Sequence, residues 1–130
     1  MVYAVMKQVT WSANLYLIRL ENSPAIGLRQ SSGAEPQLVL QGDGAALATN
    51  SNLALDTWGI VRFLYNGANS SLQINETAAT TGDTGTTGVD RFEFFSSAPV
   101  RVKEVIYRHK ADSEADQQLI YDYLETKYGL

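Results

Sequence analysis

The single histidine of the chain, His109, stands between Arg108 and Lys110. A histidine works as a general base when a carboxylate orients its ring and its pKa lies near neutral. Two flanking cations supply no such partner, so His109 reads as a solvated turn residue. Glycoside hydrolysis needs two carboxyl groups about 5 to 9.5 Å apart across the sugar. On one strand that requires even spacing, because alternate side chains share a face. In Asp90-Arg-Phe-Glu93 the spacing is odd, and Glu104 is alone on its strand, so hydrolysis is not expected. The absence of cysteine removes disulfides, thiolate metal sites and cysteine nucleophiles together. With one histidine, zinc would have to be held by carboxylates, against its preference for nitrogen and sulfur. No cofactor is therefore expected. Calcium, which takes several hard oxygens, is the one ion the loops could hold, at Gly42-Asp43-Gly44 and Gly82-Asp83-Thr84-Gly85 with Asp90 as a third carboxylate. The simpler reading of both loops is a turn.

Recognition chemistry is better supplied. Sugar binding needs an exposed aromatic ring for stacking and Asp, Asn or Gln for the hydroxyls. Two tryptophans and seven tyrosines provide the rings. Trp58 opens a strand and is expected in the core with most of Phe63, Phe92 and Phe94, whereas Trp11 and Tyr16 flank a loop. The candidate ligand-binding residues are thus Trp11, Tyr16, Asp83 and Asp90. Arg101, Lys103, Arg108 and Lys110 cluster around the last strand, but beside Glu104 and Asp112 they read as a solvated face. A net charge of −4 argues against a nucleic-acid partner. Asn69-Ser-Ser71 and Asn75-Glu-Thr77 match glycosylation sequons, which count only in a secreted eukaryotic chain.

Period-two patterning dominates the elements that would position these residues. Strands are expected at 3–9, 14–20, 25–30, 37–41, 58–65, 71–75, 91–95 and 100–107, with a short one near Leu53 to Leu55. Asn22-Ser-Pro24 and Gly42-Asp-Gly44 supply turns, and Asn66-Gly67 predicts a hairpin. Glu76 to Asp90, rich in Thr and Gly, reads as a long exposed loop. Ser113 with Asp116 is close to a capping box and starts a helix that runs to about Lys127, and Gly129 suits the left-handed C′ position. Ala115, Leu119, Ile120, Tyr123 and Leu124 are expected to form its buried face. At 130 residues, 45% hydrophobic and 18% charged, residues 1–130 fit one globular domain. Apolar runs are too short to span a bilayer, and no signal peptide is visible.

Three stretches resemble the concanavalin A-like, or laminin-G-like, jelly-roll superfamily of lectins and glucanases. Tyr3-Ala-Val-Met-Lys7 is similar to an early family strand. Thr57-Trp58, Tyr65-Asn-Gly67 and Leu72-Gln-Ile-Asn75 are similar to its central hairpin. Glu104-Val-Ile-Tyr107, Ser113-Glu-Ala-Asp116 and Tyr123-Leu-Glu-Thr-Lys-Tyr-Gly129 resemble the closing strand and terminal helix of bacterial and phage members. The resemblance implies an all-β, two-sheet antiparallel jelly-roll sandwich with one C-terminal α-helix, and a non-catalytic recognition or structural module. Such modules are of the capsid-decoration or tail-fibre type, at a virion or cell surface, contacting a glycan or a protein scaffold. They have no nucleic-acid partner and no membrane insertion, and homo-oligomers are compatible with them. The alternatives are a carbohydrate-binding module of a polysaccharide-degrading system or a glycoside hydrolase-like domain. The chain departs from the pattern at Asn75-Glu76 and at Arg91-Phe-Glu-Phe-Phe95. It lacks the glucanases' paired acidic motif, and no calcium-ligand set carries over.

Overall fold

Val2-Tyr-Ala-Val-Met6 is apolar at every position, a pattern that suits a strand covered on both faces. In the computed structural model, which describes residues 1–22, 25–33, 35–43, 45–48, 52–88, 92–94 and 100–130, that strand lies near the middle of a two-sheet sandwich. The described strands are β1 (Val2–Gln8), β2 (Tyr16–Asn22), β3 (Ala25–Gln30), β4 (Leu38–Gln41), β5 (Ala46–Ala48), β6 (Gly59–Leu64), β7 (Ser70–Ile74), β8 (Thr80–Gly82), β9 (Glu93–Phe94) and β10 (Val100–Tyr107), followed by the helix α1 (Glu114–Tyr128). One sheet has the order β10-β1-β6-β7-β8 and the other β5-β4-β3-β2-β9. Every ladder is antiparallel. The chain crosses between sheets at β1–β2, β5–β6, β8–β9 and β9–β10. This is the two-sheet antiparallel sandwich with a C-terminal helix that the sequence implies.

Val2, Ala4 and Met6 of β1 and Val61 and Phe63 of β6 face Leu17, Ile18, Ile26, Leu28 and Leu40 of the second sheet, and together they make the main core. Gly27 sits where β3 faces a register irregularity of β2. With φ +149° and a notional Cβ only 2.1 Å from the Ile18 carbonyl oxygen, this position accepts glycine alone. Met1, Tyr3, Val5 and Ile60 point to the outer face of the first sheet and form a second cluster with Tyr121 and Leu124 of α1. The helix therefore covers apolar sheet surface that would otherwise face water. It is held at its start by Ser113, whose Oγ accepts from the Asp116 N–H, and it ends at Gly129 in the left-handed conformation. Asp112, just before it, accepts a hydrogen bond of 3.0 Å from the Tyr3 hydroxyl.

The face the helix turns to the sheet keeps Ile120 and Leu124 of the expected one but not Ala115, Leu119 or Tyr123. Leu119 is 67% exposed and Tyr123 47%, and Ala115 is exposed as well, whereas Tyr121 and Leu124 are buried. Gln117, Ile120, Tyr121, Leu124 and Tyr128 form the stripe turned to the sheet. Two apolar registers compete on this helix. The register that wins places Tyr121 and Tyr128 on the sheet, while the ring of Tyr123 stays exposed at the helix edge, its hydroxyl bonded to Glu104 of β10 and to Lys127.

Three further expectations are corrected. No strand forms at Leu53 to Leu55. The short strand is β5 instead, while Leu53 fills the core by its side chain and its carbonyl oxygen accepts from the buried Gln8 amide at 2.8 Å. The segment from Glu76 to Gly88 is not simply an exposed loop. Thr80–Gly82 pairs with β7, and Thr84 is buried, bonding Ser70 through their hydroxyls at 2.6 Å. β-Branched threonines suit such an edge strand. Of the aromatics expected in the core, Phe63 is buried and Phe92 packs against the core, but Phe94 is exposed. Trp58 is half-buried against the helix-side cluster, with the ammonium groups of Lys103 and Lys7 4.5 and 5.7 Å from its ring centre. The turn at Ser23-Pro24 lies outside the described residues, as do Arg91 and Phe95 of the expected 91–95 strand.

Candidate cleft at one end of the sandwich

Antiparallel pairing brings distant parts of the chain to the same end. Val2 is paired with both Phe63 and Tyr107, so the start of β1 lies beside the ends of β6 and β10. Leu64 pairs with Ser71, and Ser70 pairs with Gly82, which adds the start of β7 and the end of β8. At this end opens a cleft of about 530 Å³. Val2, Leu20 and Phe63 form its floor, Tyr65, Phe92 and Tyr107 its walls, and Arg108, His109 and Lys110 its lip.

The rings form a continuous series. Phe94 and Phe92 lie 4.7 Å apart between centroids, Phe92 and Tyr107 5.8 Å, and Tyr107 and His109 6.4 Å in an edge-on arrangement. Tyr107, at 60% exposed, is more open to solvent than Phe92 or Phe94. Arg108 is committed elsewhere, since its Nη2 lies 3.0 Å from Oδ1 of the buried Asp112. Among the described residues no carboxylate pairs with Lys110, which leaves an uncompensated cation at the lip. His109 faces the Tyr107 hydroxyl at 3.4 Å.

Tyr65 links the cleft to the loops beyond it. Its hydroxyl donates to Asp43 Oδ1 at 2.9 Å, and Thr87 Oγ1 donates to the other Asp43 oxygen. Those two bonds, Thr87's first, hold the Asp43 carboxyl below the usual carboxylate range. Burial and the bond to Asp43 push the Tyr65 phenol up to about 12. The Gly-Asp turn thus serves as a brace for an aromatic wall.

Of the residues singled out in the sequence, Trp11 and Tyr16 are not brought together with Asp83. Trp11 follows β1 and Tyr16 opens β2, at the end of the sandwich opposite Asp83, which follows β8. Trp11 is half-buried. The Tyr16 hydroxyl donates to the Ala25 carbonyl at 2.9 Å, and the Arg19 guanidinium lies 5.1 Å from its ring centre, occupying a face a sugar would use. Asp83 Oδ1 accepts from the Gly85 N–H at 2.8 Å, closing its own turn. Asp90 lies outside the described residues. Among the described residues no three Asp, Glu or His side chains converge as a metal cage.

The sequence signal for the cleft is weak but physical. Tyr65, Phe92 and Tyr107 each sit at or beside a strand end, and the crossings between sheets bring those ends into one neighbourhood. The opposite end instead holds a buried amide pair: Gln30 Nε2 donates to Gln8 Oε1 at 2.7 Å, and Gln8 Nε2 reaches the Pro36 and Leu53 carbonyls. That pair ties loops together in the interior. Comparison with protein-family models, curated proteins and solved structures finds no match for this chain.

Proposed function

We propose that the chain is a non-catalytic recognition module that binds a glycan in the end cleft, at a virion or cell surface. The observation that supports this reading is the convergence of Tyr65, Phe92 and Tyr107 on one concave surface with Lys110, which has no carboxylate partner among the described residues. Aromatic faces stack against the C–H faces of sugar rings, while Lys110 and the hydroxyls of Tyr65 and Tyr107 supply the polar contacts that orient a ligand. The chemistry on display, phenols and an exposed cation at one end of a sheet, is that of binding. The resemblance to concanavalin A-like modules points the same way, by analogy of fold.

A glycan array probed with labelled protein tests the reading. Binding should be lost or reduced about tenfold or more in Tyr107→Ala and Lys110→Ala, since a stacked aromatic and a charged contact each contribute on the order of 1 kcal/mol or more. Trp11→Ala, at the opposite end, should bind as the parent does. A protein-scaffold role is the second reading, favoured by the exposed Leu119 and Tyr123 on the outer face of α1. No glycan binding, together with co-purification in particles through that helix face, would replace the first reading by the second.

A further inference from the structure

Arg62 is half-buried on the outer face of the first sheet, beside α1, and its environment is unusual for a cation. Its Nη2 donates to Gln73 Oε1, the neighbour directly across the ladder. No carboxylate pairs with it among the described residues. Burial pulls its pKa down, with only the nearby phenols of Tyr3 and Tyr121 acting against that. A desolvated guanidinium without a counter-ion is costly to hold, and it is the natural seat for an anion with two oxygens. Gln73 is itself fixed, because its Nε2 donates to the Thr77 carbonyl at 2.6 Å. Asn75 is fixed as well, its Oδ1 accepting from the Ile60 N–H at 2.9 Å.

Arg62 opens into a pocket of about 300 Å³ whose other lining residues are Gln73, Asn75, Glu76, Gln118 and Tyr121. Every one of them carries a hydrogen-bonding group. The Tyr121 hydroxyl has no partner among the described residues, and Gln118 uses its amide nitrogen on Asp122 at 2.7 Å, which leaves its oxygen open. Glu76 is exposed, at the mouth. The pocket is therefore polarised, with Arg62, Gln73 and Tyr121 at its inner end and the exposed Asn75, Glu76 and Gln118 at its rim. A ligand that suits it carries one carboxylate at one end and hydroxyl donors at the other.

We propose that this pocket is a binding site for a monosaccharide-sized carboxylate, a hexuronate, whose carboxylate docks on Arg62 while its hydroxyls meet Gln118, Tyr121 and Glu76. The site lies on the helix-covered face of the first sheet, shares no residue with the end cleft, and does not depend on the reading of that cleft. A neutral hexose would leave Arg62 uncompensated, and a bare anion would leave the amides and Glu76 unused.

The test is a titration of the isotope-labelled protein with sodium glucuronate followed by NMR, with glucose and sodium acetate as controls. Glucuronate should perturb the Arg62 Nε–H and the side-chain amides of Gln73 and Gln118, with neither control doing so at equal concentration. Arg62→Gln should weaken binding by about tenfold or more, the scale of a charge-assisted contact. Gln118→Ala, on the exposed side of α1, should weaken it several-fold without disturbing the fold, which the spectrum itself reports. Lys110→Ala should leave it unchanged. The proposal is overturned by shifts that are absent or confined to the end cleft, by full affinity in folded Arg62→Gln, or by glucose or acetate matching glucuronate.

Discussion

Leu119→Ala and Leu124→Ala delete the same atoms from the same helix, yet the structure assigns them very different costs. Leu124 is fully buried against Tyr3, Val5 and Ile60, while Leu119 is 67% exposed. Burying a leucine side chain is worth about 1.5–3 kcal/mol, and truncation adds the cost of the cavity left behind, for a usual range of about 2–5 kcal/mol. The cavity here would lie under a single helix whose outer side is free to settle inward, so the expected loss is in the lower half of that range, about 2–3.5 kcal/mol. Leu119→Ala removes little buried surface and installs a better helix former, which places it within about 0.5 kcal/mol of the parent. Equilibrium urea unfolding measures both, read by the fluorescence of Trp58 beside the helix and by far-ultraviolet circular dichroism. With a slope of about 2 kcal/mol per molar, the Leu124→Ala midpoint should fall by about 1–2 M and that of Leu119→Ala should barely move. Equal losses, or a larger loss at Leu119, would mean that α1 packs through Ala115, Leu119 and Tyr123, and the reasoning would be refuted.

Two other expectations concern the sheet and its charge. Gly27→Ala forces a methyl group against the Ile18 carbonyl in a backbone conformation reserved for glycine; it should destabilise by about 3 kcal/mol in the same urea assay, and a loss under about 1 kcal/mol would show that β2 yields there. Glu104 accepts hydrogen bonds from Lys127 at 3.0 Å and from the Tyr128 hydroxyl at 2.9 Å. Burial raises its pKa, but those bonds outweigh it and leave the group below its ordinary value. A carboxylate with a depressed folded pKa stabilises the fold above its unfolded value of about 4.3 and loses that contribution as pH falls through the folded value. The melting temperature of the parent should therefore exceed that of Glu104→Gln at neutral pH, with the gap closing below about pH 4. A gap of constant size across calorimetric scans from neutral to acid would count against the assignment.

The strands with alternating or fully apolar sequence were legible from the chain: β3 and β10 fall on their expected residues, and the Asn66-Gly67 hairpin joins β6 to β7. Both helix caps were legible too, because a cap is a local hydrogen-bond arrangement carried by Ser113, Asp116 and Gly129. The buried face of α1 was legible only in part, at Ile120 and Leu124 but not at Ala115, Leu119 or Tyr123. Tyrosines at 121, 123 and 128 support two registers equally, and only the partners Tyr3, Val5 and Glu104 on the sheet choose between them. β8 was hidden because a three-residue threonine strand is held by its neighbour β7 rather than by its own pattern. The cleft was hidden for the same kind of reason. Tyr65, Phe92 and Tyr107 each resemble core residues locally, and their convergence exists only after four crossings between sheets. The lone histidine illustrates the reverse: its position between two cations drew attention, and it lies at the lip of the cleft through the turn that carries it.

The placement of β1 between β6 and β10 bears on how the molecule is made. Val2 waits for Phe63 on one side and for Tyr107 on the other, while Tyr3 and Val5 on the outer face of β1 wait for Tyr121 and Leu124. During synthesis this apolar strand is made before both of the strands it pairs with, and it is satisfied only when β10 follows. Contacts between such distant residues slow folding, since loop closure must precede the gain they bring. Until β10 arrives, Val2-Tyr-Ala-Val-Met6 is an open strand edge on a partly built sheet, the kind of segment that pairs with a neighbouring chain when concentrations are high. Yield in the cell would then depend on how quickly the last thirty or so residues follow the first half, rather than on how stable the finished sandwich is.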